Sequence, residues 1–138
     1  MATVLVIDDD QTTRAMIGTA LEEIGHQATY ALDGEEGVQM VKSNAYDVVF
    51  MDLAMPNKNG LIAIREILEE FPGTKIVAIS GKDPEMLERA EEYGALKALT
   101  KPITPKQVQD TVEELLHERP TGGWDDIYGV RPWVVRAI

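Results

Sequence analysis

Residues 4–10 read VLVIDDD, a continuous apolar run followed at once by Asp8, Asp9 and Asp10. Consecutive apolar residues are typical of a strand that is buried on both faces, as in a parallel sheet covered by helices. In open sheets of this kind the functional site lies beyond the carboxyl ends of the strands. The stretch therefore predicts a central strand, with three carboxylates at the edge where a site would form.

The same alternation of strand and helix continues along most of the chain. Four further short strands are predicted, at Gln27 to Tyr30, Asp47 to Met51, Lys75 to Ile79 and Lys97 to Leu99. Amphipathic segments with helical spacing lie between and after them, with start and stop signals at Gly25, Asp33, Pro72-Gly73, Asp83-Pro84 and Thr104-Pro105. Five strands alternating with five helices predict an α/β fold with a doubly wound, five-stranded parallel sheet.

Three local features carry predictions of their own. The apolar stripe of the third helix runs from Leu61 to Phe71, which places Phe71 on the core side. The fourth helix has a thin stripe, which predicts weak docking against the sheet. His26 and His117 are interpreted as surface histidines without a role.

The composition limits the function. The 138 residues suit one domain and carry 13 basic against 24 acidic side chains, a net charge of −11. This balance argues against non-specific binding to nucleic acid or to anionic membranes. The absence of cysteine excludes disulfides, thiolate metal sites and a cysteine nucleophile. No apolar run is long enough to cross a bilayer and no signal peptide is visible, so we expect a cytoplasmic protein.

The pattern ends at Pro120, and Gly122-Gly123 predicts a flexible joint. We therefore divide the chain into residues 1–119, the α/β domain, and residues 120–138, an apolar C-terminal tail or linker that contains both tryptophans. The tail is too short for a DNA-binding helix-turn-helix, so we expect no nucleic-acid partner for this chain. Three interpretations stay open: an arm folded on its own domain, an arm docked on a second subunit or partner, and a linker stub or vector-derived end.

Polar residues follow four of the five predicted strands. They are Asp8 and Asp9 after the first, Asp52 after the third, Ser80-Gly81 after the fourth and Lys101-Pro102 after the fifth. The three carboxylates should converge at the sheet edge, where a hard divalent cation such as Mg²⁺ would relieve their repulsion. The simpler interpretation, that acidic residues only cap the next helix, suits Asp10 best.

This set of groups predicts phosphoryl transfer. Asp52 is a carboxylate able to attack phosphorus, Lys101 supplies a cation, and Ser80 supplies a hydroxyl donor. With a metal ion, such groups stabilise the charge that develops on a transferred phosphoryl group. The expected covalent product is an aspartyl phosphate.

With these residues in place, the sequence resembles the receiver domains of response regulators in two-component signalling, particularly single-domain regulators of the chemotaxis type. The resemblance covers about residues 2–118, and its matching stretches are Val4 to Asp9, Asp47 to Pro56, Ile79 to Gly81 and Leu99 to Pro102. It implies a flavodoxin-like fold with strand order 2-1-3-4-5. It also implies a phosphorylation-activated switch rather than an enzyme. The phosphoryl group would pass from a histidine kinase or phosphotransfer protein to Asp52, and the signal would leave through protein contacts.

The resemblance assigns the metal ligands by position. Asp9 would bind Mg²⁺ directly, and Mn²⁺ could replace it. Asp8 would act close by or through water. Asp52 and the main-chain carbonyl of Ala54 would be the other ligands.

The resemblance also assigns the groups around the phosphoryl position. Ser80 would bond a phosphoryl oxygen, and Lys101 would pair with the acceptor or the phosphoryl group. Gly81 would leave space beside that group, and Gly60 matches the glycine after the acceptor loop. The bond between Lys101 and Pro102 is usually cis in this family.

Two departures from the family pattern stand out. Ala98 occupies the position, three residues before Lys101, where the family usually carries Tyr or Phe. The change is either harmless or indicates an output that avoids the usual face of helix four, strand five and helix five. A homodimer through that face or through the tail stays open. The second departure is the pair Ala54 and Lys82, at positions that influence hydrolysis of the aspartyl phosphate.

Other classes fit less well. A haloacid-dehalogenase-type phosphatase needs an acid two residues after its nucleophile, where this chain has Ala54. A flavodoxin-type carrier needs phosphate donors after strand one, where this chain has three aspartates. A degenerate receiver that serves as a phosphorylation-independent scaffold is the remaining alternative. The sequence names neither the kinase nor the downstream target.

Overall fold

The structure, a computed structural model, describes residues 1–55, 59–81 and 83–117. Its strands are β1 (Thr3–Ile7), β2 (Gln27–Ala31), β3 (Val48–Asp52), β4 (Lys75–Ser80) and β5 (Lys97–Thr100). Its helices are α1 (Gln11–Glu23), α2 (Gly34–Ser43), α3 (Gly60–Glu70), α4 (Pro84–Glu92) and α5 (Pro105–His117). The tail predicted at residues 120–138 and the side chain of Lys82 lie outside the described residues.

The five strands form one parallel sheet in the order β2-β1-β3-β4-β5. The predicted fold class and strand order are therefore confirmed. Because side chains alternate along a strand, β1 sends Leu5 and Ile7 into the layer beneath α2, α3 and α4. Its Val4 and Val6 enter the opposite layer, beneath α1 and α5. Burial on both faces explains why β1 is a continuous apolar run.

Side-chain caps set the beginnings of the helices that follow the strands. Asp10 caps α1 by accepting from the backbone N–H groups of Thr12 and Thr13, as its capping interpretation predicts. Asp33 and Asp83 cap α2 and α4 in the same way. At α5, Thr104 and Gln107 exchange side-chain and backbone hydrogen bonds, the arrangement known as a capping box.

The thin stripe of α4 appears in the structure as one buried residue of this helix, Ala90. The weak docking inferred from it stays a prediction. Two other expectations need correction. Phe71 is 36% exposed, because α3 ends at Glu70 and Phe71 leaves the helical register as its C-cap. The side chain of His26 is only 8% exposed. Its Nδ1 accepts a hydrogen bond from the backbone N–H of Ala2, and its Nε2 lies 3.2 Å from Oε1 of Glu113 on α5.

Candidate functional site

The strand order brings the polar strand ends together. Asp8 follows β1, Asp52 ends β3, Ser80 ends β4, and Lys101 follows β5. These four strands are neighbours in the sheet. Asp8, Asp52 and Ser80 are 0%, 3% and 4% exposed. The polar residues predicted at separate positions therefore meet at the carboxyl edge of the sheet, where Asp8, Asp52 and Ser80 are buried.

The three predicted carboxylates form a tight cluster. Asp8, Asp9 and Asp52 each offer one oxygen, and these oxygens lie within 4.8 Å of one another. Asp9 is exposed, whereas the other two are buried. The cluster is therefore open to solvent on the side of Asp9.

Lys101 is the cation of the cluster. Its Nζ lies 3.0 Å from Oδ2 of Asp8 and 3.5 Å from Oδ2 of Asp52. Burial opposes the charged ammonium, but the contacts with Asp8 and Asp52 outweigh it and raise the pKa of Lys101. One ammonium group therefore faces two buried carboxylates and remains protonated.

The surroundings of Asp52 disfavour its ionisation. Burial, and then the charge of Asp8, raises the pKa of Asp52 from 3.8 to about 6. Lys101 and the backbone N–H of Ala54, which donates to Oδ1 of Asp52 at 3.2 Å, act in the opposite direction. An ionised Asp52 is therefore held at a free-energy cost that a further positive charge would relieve.

The described residues suit a hard divalent cation. Carboxylate oxygens are the ligands that Mg²⁺ prefers, and it usually binds through one or two of them plus waters. The buried Oδ2 of Asp8 has no well-aligned hydrogen-bond donor among the described residues, although Lys101 lies within ion-pair distance. Three carboxylates against one ammonium also leave the cluster negative. Asp8, Asp9 and Asp52 are therefore the side chains that could hold the ion.

Open space lies on the Gly81 side of Lys101. A side chain added at Gly81 would meet no atom within 4 Å. An open groove of about 440 Å³ borders Gly81 and Lys101, with Asp10, Thr13 and Met16 on its α1 side. The backbone N–H of Lys101 donates to the carbonyl of Ser80 at 2.8 Å, which holds these two candidate residues beside each other. The peptide bond between Lys101 and Pro102 is cis, the form that the resemblance implies.

Gly60 is required by a close approach of two backbone segments. A Cβ at this position would lie 2.4 Å from the carbonyl oxygen of Asp52 and 2.7 Å from the Cα of Leu53. The backbone N–H of Gly60 also donates to the carbonyl of Leu53 at 3.1 Å. The start of α3 is therefore packed directly against the peptide that carries Asp52.

Gly60→Ala is expected to destabilise the fold by about 2 kcal/mol or more, because backbone atoms cannot move aside as a side chain can. Urea denaturation followed by circular dichroism measures this change. Gly73→Ala is the matched control, because a Cβ there meets nothing within 4 Å. Equal stabilities of the two variants would contradict this explanation of Gly60.

One charged residue at the site was not predicted from the sequence. Arg14 of α1 donates from Nη1 to the main-chain carbonyl of Asp8 at 2.7 Å. Its position in the first turns of the helix that follows the aspartates was the available signal. Ala98 is half-buried on β5 and pairs with Ala78 in the ladder. Both interpretations of the missing aromatic ring stay predictions.

Comparison with known proteins agrees with this geometry. The sequence profile of the response regulator receiver domain matches residues 4–113. Protein PilH of Pseudomonas aeruginosa is 32% identical over 119 residues, which covers 84% of this chain and 98% of PilH. The autoinducer 1 sensor kinase/phosphatase LuxN of Vibrio harveyi is 40% identical over 83 residues, but the match spans only 10% of LuxN.

A solved structure shows the same architecture. The chemotaxis protein CheY4 of Vibrio cholerae superposes with a TM-score of 0.77 at 26% identity, covering 83% of this chain and 98% of that one. Among the described residues of the present chain, no helix is both long and apolar enough to span a membrane.

Proposed function

The chain belongs to the response regulator receiver domain family, and on that basis we propose that Asp52 is the residue that accepts the phosphoryl group. Proteins of this family are phosphorylation-dependent switches of two-component signalling, and this chain is homologous to PilH and to chemotaxis regulators of the CheY type. Receiver domains bind Mg²⁺ at their acidic pocket and interact with histidine kinases or phosphotransfer proteins. No observation favours the degenerate scaffold that the sequence left open.

The central position of Asp52 supports its assignment, because it contacts Lys101 and ends β3, the strand that lies between β1 and β4 in the sheet. Asp8 is fully buried, and its carboxylate also accepts the backbone N–H of Asp10 at 2.9 Å. Asp9 is exposed at the rim. Asp52 contacts Lys101, and its partner in β4 is Ile79, the residue that precedes Ser80, so a cation and the strand end that carries a hydroxyl group both lie beside it. These are the groups that a transferred phosphoryl group needs.

The proposed reaction moves one phosphoryl group. An oxygen of the Asp52 carboxylate attacks phosphorus, the phosphorus–nitrogen bond of a phosphohistidine donor breaks, and its electron pair stays on the imidazole nitrogen. A bound Mg²⁺ ion would neutralise charge at the phosphoryl oxygens. Lys101 provides a fixed positive charge, and the hydroxyl of Ser80 donates to a phosphoryl oxygen once the group has arrived. The product is the aspartyl phosphate of Asp52.

We also propose the metal ligands, the cellular location and the output of this switch. Asp8, Asp9, Asp52 and the carbonyl of Ala54 are proposed to hold Mg²⁺ or Mn²⁺. The chain works in the cytoplasm as a phosphoacceptor rather than an enzyme acting on external substrates. Its output is a contact with a downstream protein, either through the face formed by α4, β5 and α5 or through residues 120–138, and a homodimer through the same surfaces is compatible with it.

Asp52→Asn is expected to abolish phosphorylation. The purified chain is incubated with acetyl phosphate and Mg²⁺, and the phosphoryl group is detected by intact-protein mass spectrometry. The amide cannot form an acyl phosphate, so the variant should gain no mass. Asp47→Asn is the matched control, because Asp47 lies at the opposite end of β3 and its Oδ2 accepts from the backbone N–H of Thr3.

The wild type and Asp47→Asn should both be labelled, and chelation of Mg²⁺ should prevent labelling in each. Label that persists undiminished in Asp52→Asn would refute the assignment. Failure of the wild type to take up any label in the presence of Mg²⁺ would favour the scaffold instead.

The aspartyl phosphate is expected to be long-lived, because Ala54 offers no hydrogen bond that could align a water molecule for attack. Ala54 is exposed next to the candidate acceptor, so a polar side chain can be introduced there without entering the core. Ala54→Asn should lose the label about tenfold faster, the scale at which a well-placed hydrogen bond acts. The measurement is the decay of labelled protein after removal of the donor. Slower decay in the variant would contradict the prediction.

A further inference from the structure

A side chain from the following helix forms a hydrogen bond with the Asp8–Asp9 peptide. Nη1 of Arg14 donates to the carbonyl oxygen of Asp8 at 2.7 Å, and a hydrogen bond from a guanidinium group is charge-assisted and therefore strong. Arg14 is half-buried, and its own backbone N–H donates to the carbonyl of Asp10 at 3.0 Å. The backbone of Arg14 is thus fixed in α1, and its side chain reaches back to the end of β1.

This hydrogen bond completes the restraint of the turn between β1 and α1. On one side of the Asp8 residue, its N–H donates to the carbonyl of Ala31 at 3.1 Å. On its side chain, Oδ1 accepts from the N–H of Asp10 at 2.9 Å. The carbonyl of Asp8 belongs to the peptide that leads into Asp9, and Arg14 restrains that group. The orientation of this peptide determines the position of the Asp9 backbone, and so the position from which its carboxylate extends.

Asp9 depends on that restraint more than its neighbours do. Asp8 and Asp52 are buried and contact Lys101, whereas Asp9 is exposed. A shift of the Asp8–Asp9 peptide would therefore move the Asp9 carboxylate away from the other two with little resistance. Groups that orient metal ligands typically change metal affinity by 10–100-fold when they are removed.

We propose that Arg14 is a positioning residue for the divalent-cation site, acting through the carbonyl of Asp8 on the carboxylate of Asp9. The inference rests on the metal site of the proposed function. The direction in which Mg²⁺ affinity changes distinguishes positioning from a simple effect of charge. A nearby positive charge repels a cation, so charge alone predicts that removal of Arg14 tightens Mg²⁺ binding. Positioning predicts that its removal weakens Mg²⁺ binding.

The test is calorimetric titration of the full chain with Mg²⁺ alone, without any phosphoryl donor. Arg14→Met keeps an unbranched stem but loses the guanidinium donor, and its Kd for Mg²⁺ should rise about tenfold. Arg14→Lys keeps a charged donor and should recover most of the affinity. Arg65→Met is the matched control, because Arg65 lies on α3 with its side chain 68% exposed and pairs with Glu69. Its Kd should stay at the wild-type value.

Arg14→Gln is a second neutral variant in case Arg14→Met does not fold, and circular dichroism before each titration identifies the folded proteins. Weaker binding in the neutral variants, with recovery in Arg14→Lys, supports the inference. Unchanged or tighter binding in a folded neutral variant overturns it and leaves the proposed function intact. A wild-type chain that binds no Mg²⁺ would instead count against the proposed function itself.

Discussion

Lys101→Met should lower the free energy of unfolding by about 3 kcal/mol in the absence of divalent cations. Lys101 lies 3.0 Å from Asp8, whose side chain is 0% exposed, and 3.5 Å from Asp52. Its removal leaves buried carboxylates without a counter-ion. Removing one partner of a buried ion pair destabilises a protein by more than the intact pair stabilises it, because the remaining charge is buried without compensation. The variant should remain folded at low temperature but unfold at a lower urea concentration.

The measurement is urea denaturation in a chelating buffer, followed by far-ultraviolet circular dichroism. Lys106→Met is the matched control, because the side chain of Lys106 is 83% exposed and its pairing with Asp110 lies on the surface. The control should change stability by no more than about 0.5 kcal/mol. Saturating Mg²⁺ should restore much of the stability of Lys101→Met, since a ligand that binds only the folded state stabilises it. Equal stabilities of the two variants without Mg²⁺ would show that Lys101 is not the counter-ion.

Asp52→Asn should have the opposite effect and stabilise the metal-free chain by about 2 kcal/mol at pH 7.5. The reason is that the pKa of Asp52 is raised from 3.8 to about 6 in the folded state, by burial first and by the charge of Asp8 second. Such a group is easier to ionise in the unfolded chain, so it favours unfolding once pH exceeds the unfolded value. The contribution of Asp52 to the free energy of unfolding therefore falls as pH rises from about 4, and it is lowest above pH 6. An asparagine cannot ionise and does not show this fall.

The test compares the urea midpoints of the wild type and Asp52→Asn from pH 4 to 7.5 in a chelating buffer. The advantage of the variant should be small at pH 4 and should grow through pH 6. Mg²⁺ should raise the stability of the wild type more than that of Asp52→Asn, because the ion needs the charged carboxylate. Asp47→Asn serves again as the control at the far end of β3. A variant that is less stable than the wild type throughout this range would disprove the electrostatic description of Asp52.

Much of the fold could be predicted because the local signals are strong and agree. The apolar run at residues 4–7 is buried on both faces, so its pattern depends on the strand and not on a particular neighbour. Asp10, Asp33 and Asp83 act on backbone groups two or three residues away, which is why their capping roles are visible in the sequence. Phe71 was placed wrongly because a helical pattern does not show the residue at which the helix stops.

The composition of the candidate site was also predictable, since parallel strands bring their carboxyl ends to one edge of a sheet. Asp8, Asp9, Asp52, Ser80 and Lys101 were selected on that ground, and the structure places them together. Their roles in phosphoryl transfer stay predictions until Asp52→Asn is tested. The identity of the family follows from the same residues and from the match over residues 4–113.

By itself, the sequence determined the order of strands and helices, the acidic edge and the residue types available there, because each of these depends on spacing along the chain. The tertiary structure decided which side chains contact one another. Lys101 contacts two carboxylates, Arg14 reaches the carbonyl of Asp8, and His26 is nearly buried beside Glu113. Lys101–Asp8 and His26–Glu113 join residues far apart in the chain. The contacts of Lys101 depend on the order of the strands in the sheet, and those of Arg14 and His26 depend on how α1 and α5 pack on it. Packing of that kind arises from the summed contacts of many side chains, and no local pattern in the sequence encodes it.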